Sequence, residues 1–130
     1  MENINTRRKG AIAVAAAINY FTKQNRSVFV PIADCDKYDI IVDNGNLERI
    51  QCKYTSEKSN KDSFAVRLLT FGGYRQKTYK TKYINGDFDL LFVRCSNGSK
   101  FLIPAENIVG KSEIAVSSKK NSPWTKYFLG

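Results

Sequence analysis

The sequence predicts an α+β domain, a mixed β-sheet of the α/β/α-like kind with a long N-terminal helix packed on one face. Three observations carry that reading. The run Thr6 to Lys23 is helix-forming, with an apolar centre from Ala11 to Ile18. Two β-rich runs flank Asp43-Asn44-Gly45-Asn46, and an Asn-Gly between such runs is a strong short-range hairpin signal. Another strand pair surrounds Ser96-Asn97-Gly98. A chain of 130 residues has room for one core, so residues 1–130 are read as one domain.

The helix takes Asn5 or Thr6 as its cap. Its centre is apolar on every side, which predicts a helix buried all round. Ser27 to Val30 reads as a strand closed by Pro31. Tyr38 to Val42 and Leu47 to Tyr54 are the hairpin partners, and Ser63 to Leu69 is a third antiparallel strand. Gly72-Gly73 permits a tight reversal. Phe88 to Arg94 and Lys100 to Ile103 form the later pair, with short helical turns at Pro104 to Ile108 and Ser122 to Tyr127.

Composition narrows the chemistry. Twenty-one Lys and Arg against twelve Asp and Glu leave a net charge of +9, which suits a polyanionic partner such as nucleic acid. A solvated basic surface is the alternative. Histidine is absent, which excludes histidine general bases, His-metal nucleases and every Ser-His or Cys-His triad. Cys35, Cys52 and Cys95 are odd in number and widely spaced, as expected of reduced thiols inside a cell rather than of a disulfide framework or a zinc site. The apolar run is too short to span a bilayer and no signal peptide precedes it, so no membrane association is expected.

Asp39 stands at the head of the apolar run Ile40-Ile41-Val42, and the partner strand carries Gln51-Cys52-Lys53. Residues two apart share a face, so Gln51 and Lys53 point the same way. A carboxylate, an amide oxygen and an ammonium meeting there would suit a hard cation and a phosphate. On spacing alone, solvent-facing Gln51 and Lys53 are the commoner outcome. The hairpin decides between the two. A two-residue turn on Asn44-Gly45 pairs Asp39 with Ile50 and turns it away from Gln51 and Lys53. A three-residue connection pairs Asp43 with Leu47 and brings Asp39 opposite Gln51.

Taken in order, Lys9-Gly10, then Lys37-Tyr38-Asp39-Ile40-Ile41-Val42, then Arg49-Ile50-Gln51-Cys52-Lys53 resembles the PD-(D/E)XK nuclease superfamily. Within it, the chain is most similar to the small homing endonucleases of bacterial group I introns. Gly86 to Val93, Phe101-Leu102-Ile103-Pro104 and Trp124-Thr125-Lys126-Tyr127 extend the likeness over roughly Thr6 to Phe128. The resemblance implies a restriction-endonuclease-like core and Mg²⁺-dependent, site-specific hydrolysis of duplex DNA, with Mn²⁺ as a substitute metal. It implies Asp39, Gln51 and Lys53 as the catalytic set, with Asp39, Gln51 and the Cys52 main-chain carbonyl holding the metal. Gln51 then stands where the wider superfamily has Asp or Glu. Val14 departs from the pattern, because the family often carries Glu there. The missing acid would come from Glu2 or Glu48, a single metal would suffice, or the chain would be a catalytically inactive DNA- or junction-binding module. The bacterial likeness places the protein in the cytoplasm, associated with the nucleoid.

Residues 63–86 contain no acid but hold Arg67, Arg75, Lys77, Lys80 and Lys82, interleaved with Tyr74, Tyr79 and Tyr83. Basic side chains neutralise phosphates and tyrosines donate to them or pack on sugars, so Arg67, Arg75, Lys77, Tyr79, Lys80 and Lys82 are read as DNA-binding. A solvated basic loop is the alternative. Arg7, Arg8 and Lys9 crowd the helix start, where positive charge opposes the macrodipole unless an anion lies nearby. Asp34, Asp36, Asp39, Asp43 and Glu48 form an acid-rich island around the hairpin. One site per small domain cuts one strand, so a homodimer, or a tetramer of dimers, is expected.

Overall fold

The computed structural model describes residues 4–33, 35–74 and 77–130, and within 70–80 the main chain only. Helix α1 spans Thr6–Lys23. Asn5 is its cap, in extended conformation, with Oδ1 accepting the Arg8 N–H at 2.9 Å. The helix is not buried all round. Ala13, Ala17 and Phe21, at four-residue spacing, are buried, while Ala11 and Ala15 face outward. A methyl group exposes little apolar surface, so a run of alanines reads as apolar on every side yet needs only one covered stripe. Asn25 ends the helix in the left-handed region (φ 63°), a conformation asparagine tolerates.

Among the described residues ten strands follow: β1 (Ser27–Phe29), β2 (Ile40–Asp43), β3 (Leu47–Thr55), β4 (Lys58–Asn60), β5 (Ser63–Arg67), β6 (Leu69–Tyr74), β7 (Lys77–Lys82), β8 (Leu90–Cys95), β9 (Lys100–Pro104) and β10 (Glu113–Val116). The main sheet has the order β1-β2-β3-β8-β9. All its pairings are antiparallel except β3 with β8, which are parallel from Ile50–Leu90 to Thr55–Cys95. A parallel neighbour needs a crossover, and the excursion through β4 to β7 provides it. The third antiparallel strand expected from the sequence exists as β5, but it sits between β4 and β10 in a separate three-stranded sheet. The reversal expected at Gly72-Gly73 does not fall on those two residues. Both glycines sit inside β6, opposite Tyr79 and Thr78 of β7.

Alternation along the strands divides the core in two. Ile40, Val42, Ile50, Cys52 and Phe92 turn toward α1 and pack with Ala13, Ala17 and Phe21. Leu91, Val93, Cys95, Phe101 and Ile103 turn the other way, against Phe64 and Val66 of β5 and Ile114 and Val116 of β10. Full burial of an aromatic such as Phe21 or Phe92 contributes roughly 1.5–3 kcal/mol. Gln51 and Lys53 of β3 pair with Leu91 and Val93, so they share this second face.

Arg49 ties β3 to the entry of β8. Its main-chain N–H donates to Asp89 Oδ2 at 2.8 Å, its Nη1 donates to the Gly86 carbonyl at 2.6 Å, and its Nε lies 3.3 Å from the same carboxylate. The guanidinium also lies over the Tyr38 ring, 5.9 Å from its centroid. Partial burial raises the Asp89 pKa, but the Arg49 N–H and guanidinium outweigh it and hold the carboxyl below the usual range. A depressed carboxylate stabilises the fold above its unfolded pKa, near 4, and that contribution is lost as pH falls through the folded value. We therefore expect Arg49→Ala to cost about 1 kcal/mol at neutral pH. Urea denaturation should show the difference from the parent shrinking as pH falls below about 4.

Candidate active site

The turn between β2 and β3 has the odd length. Asp43 pairs with Leu47, Val42 with Glu48, Ile41 with Arg49 and Ile40 with Ile50. Gly45 supplies the positive φ, +102°, and its N–H donates to Asp43 Oδ1 at 2.9 Å. β2 starts at Ile40, whereas β3 continues to Thr55, so one edge of β3 is bare of β2 beyond Ile50. Asp39 sits at that point. Its N–H donates to the Ile50 carbonyl at 2.8 Å, and its Oδ2 accepts the Cys52 N–H at 2.8 Å. The aspartate thus brackets Gln51, with main chain on one side of it and side chain on the other.

Beyond this junction a cleft of about 640 Å³ opens along the bare edge of β3. Thr6, Lys9, Gly10 and Val14 of α1 form one wall, and Ala65, Val66 and Arg67 of β5 form the other. Asp39, Gln51, Cys52 and Lys53 all line it. A Cβ added at Gly10 would meet nothing within 4 Å, so the cleft is open on the helix side.

Lys53 is half-buried, and its ammonium lies over the Tyr83 ring, 5.4 Å from the centroid. Burial lowers its pKa, and the negative charge of Asp39 works against that shift. Tyr83 is itself buried, and desolvation, then Asp39 and Asp87, push its hydroxyl upward. The Cys52 thiol points into the α1-side core, where burial and then Asp39 raise its pKa well above normal. It stays a thiol, and only its main chain faces the chemistry. Gln51 Nε2 donates to the Cys52 carbonyl at 3.3 Å.

A model of the PD-(D/E)XK endonuclease family matches residues 4–125. The chain belongs to that family. Its fold is that of the bacterial homing endonuclease I-Ssp6803I, a solved structure matched with a TM-score of 0.83 at 22% identity, over 96% of this chain and 89% of that one. No curated protein sequence matches it significantly. The protein is accordingly a nuclease of this endonuclease family, with the family's restriction-endonuclease-like α+β fold.

PD-(D/E)XK nucleases generally use divalent metals. Carboxylate, amide and main-chain carbonyl oxygens are available from Asp39, Gln51 and Cys52, a donor set that fits a hard cation retaining part of its water shell. Among the described residues no three His, Cys, Asp or Glu side chains come together as a metal cluster. Val14 occupies the helix wall as an apolar group. Among the described residues of the acidic island, only Asp39 lines the cleft. Glu48 alternates onto the α1 side of β3 and accepts from the Asn44 amide, Asp36 and Asp43 are exposed, and Asp34 and Glu2 lie outside the described residues. Glu57, which sequence reasoning did not single out, also lines the cleft, but its carboxylate is held by Arg67 at 2.9 Å.

Of the residues read as DNA-binding, Arg7 and Arg8 are exposed at the start of α1 and Lys9 lines the cleft. Arg67 also lines it, paired to Glu57 and, at 3.5 Å, to Glu113. Lys82 is exposed at the end of β7. Arg75, and the side chains of Lys77, Tyr79 and Lys80, lie outside the described residues. Sequence reasoning also passed over Tyr83 as a neighbour of Lys53. Its place in a Lys/Tyr alternation was visible, but a contact with a residue thirty positions away was not.

The bond from the Cys52 N–H to Asp39 separates structure from chemistry. Asp39→Ala leaves that N–H without its carboxylate and should cost about 1–3 kcal/mol in chemical denaturation. Asp39→Asn keeps an acceptor oxygen at the same place and should recover most of that loss.

Proposed function

We propose that this chain is a single nuclease domain, residues 1–130, that hydrolyses duplex DNA at a specific site with Mg²⁺ or Mn²⁺, as an endonuclease of the intron-homing kind. The observation that carries the reading is the odd-length hairpin, which sets Asp39 beside Gln51, Cys52 and Lys53 at the bare edge of β3. The fold shared with a bacterial homing endonuclease supports it, and so does the net charge of +9.

Asp39, the Gln51 amide oxygen and the Cys52 carbonyl would hold the cation. When bound, it supplies Lewis acidity at the scissile phosphate. Asp39 keeps its position because the Cys52 N–H fixes one of its oxygens. Lys53 orients the attacking water and steadies charge on the phosphate, a task its half-buried place over the Tyr83 ring suits. Arg7, Arg8, Lys9, Arg67, Arg75, Lys77, Tyr79, Lys80 and Lys82 engage the DNA backbone. No helix among the described residues is long and apolar enough to cross a membrane. A cytoplasmic, nucleoid-associated place follows from the DNA reading.

Incubation with a plasmid library, followed by sequencing of the ends, tests this directly. We expect cleavage that requires Mg²⁺ or Mn²⁺ and stops on chelation. Lys53→Ala should reduce the rate by at least about 10²-fold, the scale of losing a positioned proton-handling group, while retaining DNA affinity. Undiminished cleavage by Lys53→Ala would place the centre elsewhere.

A second reading rests on one observation: with Val14 in the helix wall and Glu57 tied to Arg67, Asp39 is the carboxylate left facing the proposed metal. The chain would then be a DNA- or junction-binding module without cleavage. Retention of DNA with no cleavage under any divalent metal would select it. For the nuclease, cutting both strands calls for two sites related by a two-fold axis. Light scattering should give a mass of two or four chains, with DNA or without it. A mass of one chain in both conditions would exclude that arrangement.

A further inference from the structure

A second, smaller groove, of about 420 Å³, lies along another stripe of α1. Asn19, Tyr20 and Lys23 of the helix face Arg94, at the end of β8, and Lys100, at the start of β9. Every charged residue lining it is a cation. Among the described residues, Lys23, Arg94 and Lys100 take part in no ion pair, unlike Arg49 and Arg67. Main-chain carbonyls hold two of the heads in place. Arg94 Nη1 donates to the Cys95 carbonyl at 2.5 Å, and Lys100 Nζ donates to that of Gly98 at 3.2 Å. The Arg94 guanidinium also lies over the Tyr54 ring, 5.9 Å from the centroid, and Tyr54 lines the catalytic cleft. Tyr54 thus borders both the catalytic cleft and a residue of the second groove.

Three uncompensated cations around one groove repel each other in the free protein, and a polyanion relieves that repulsion. The other polar groups present, the Tyr20 hydroxyl and the Asn19 amide, can also donate to phosphate oxygens. We propose that this groove is a second backbone-gripping surface, in which Lys23, Arg94 and Lys100 hold phosphates of the DNA substrate beyond the catalytic cleft. The inference rests on the DNA-cleaving reading above and adds to it a part of the substrate footprint that the β6–β7 segment does not cover.

The test compares Lys23→Gln, Lys100→Gln and the double variant with the parent chain, using a DNA duplex that the parent binds. Lys126→Gln, an exposed cation in the 3₁₀ turn Thr125–Tyr127, is the control for charge alone. Gln keeps the side-chain length, and Arg94 is left in place because it bonds the main chain. Neutralising one phosphate contact should lower the slope of log affinity against log salt by about 0.9, which near 0.15 M salt weakens binding about fivefold. We expect about 0.9 from each single variant, about 1.8 from the double, and no change from Lys126→Gln. Unchanged slopes in both single variants, or an equal loss in Lys126→Gln, overturn the proposal while leaving the nuclease reading intact. A parent chain that binds no duplex under any salt overturns both.

Discussion

Everything at the proposed centre depends on β2 stopping where β3 does not. An antiparallel partner satisfies the backbone groups along a strand edge, so a strand that outruns its partner leaves N–H and C=O groups without a ladder. Here Asp39 takes over at the first such position. Its carboxylate accepts the Cys52 N–H at 2.8 Å, standing in for the carbonyl that a longer β2 would have offered. The same substitution puts a negative charge beside Gln51 and Lys53 and leaves the edge beyond them open to a cleft between α1 and β5. The side chain that meets this structural need of the sheet is the one on which the proposed chemistry would rest.

The second constraint is the face on which the polar groups lie. Across the main sheet, the surface turned toward β5 and β10 is apolar in β8 and β9, with Leu91, Val93, Phe101 and Ile103. In β3 it becomes polar, with Gln51 and Lys53. Their position next to the open edge gives the polar ends access to solvent, while their stems continue the packing. Lys53 is seated deeply enough for burial to lower its pKa, and Asp39 and the Tyr83 ring offset part of that cost. The PD-(D/E)XK family match spans residues 4–125 and so includes this stretch of chain.

Charge is distributed unevenly over this frame. The ion pairs of Arg49 with Asp89 at the head of β8, and of Arg67 with Glu57 and Glu113 at the mouth of the cleft, serve local architecture. Two groups of basic residues border α1, Arg7, Arg8 and Lys9 at its start and Lys23 with Arg94 and Lys100 beside its end. Such an arrangement repels itself in isolation and is stabilised by a polyanion.

Several features were legible in the residues alone. Asn5 as a cap, the Asp43–Asn46 reversal, the α+β class and the order of Asp39, Gln51 and Lys53 follow from local rules that act over a few positions. The length of the hairpin connection was not, because Asn44-Gly45 suits a two-residue turn as well as it suits part of a three-residue one. Which register prevails depends on Ile40, Val42 and Ile50 all reaching the α1 core together, a condition set by tertiary packing. The same holds for the stripe of α1 that is buried, for the transfer of β5 to a separate sheet, and for the meeting of Lys53 with Tyr83. Local sequence determined which groups could serve a cation and a phosphate. Only the packing of two cores against one sheet decided that they share a face, since a slip of one residue would have turned them to opposite sides.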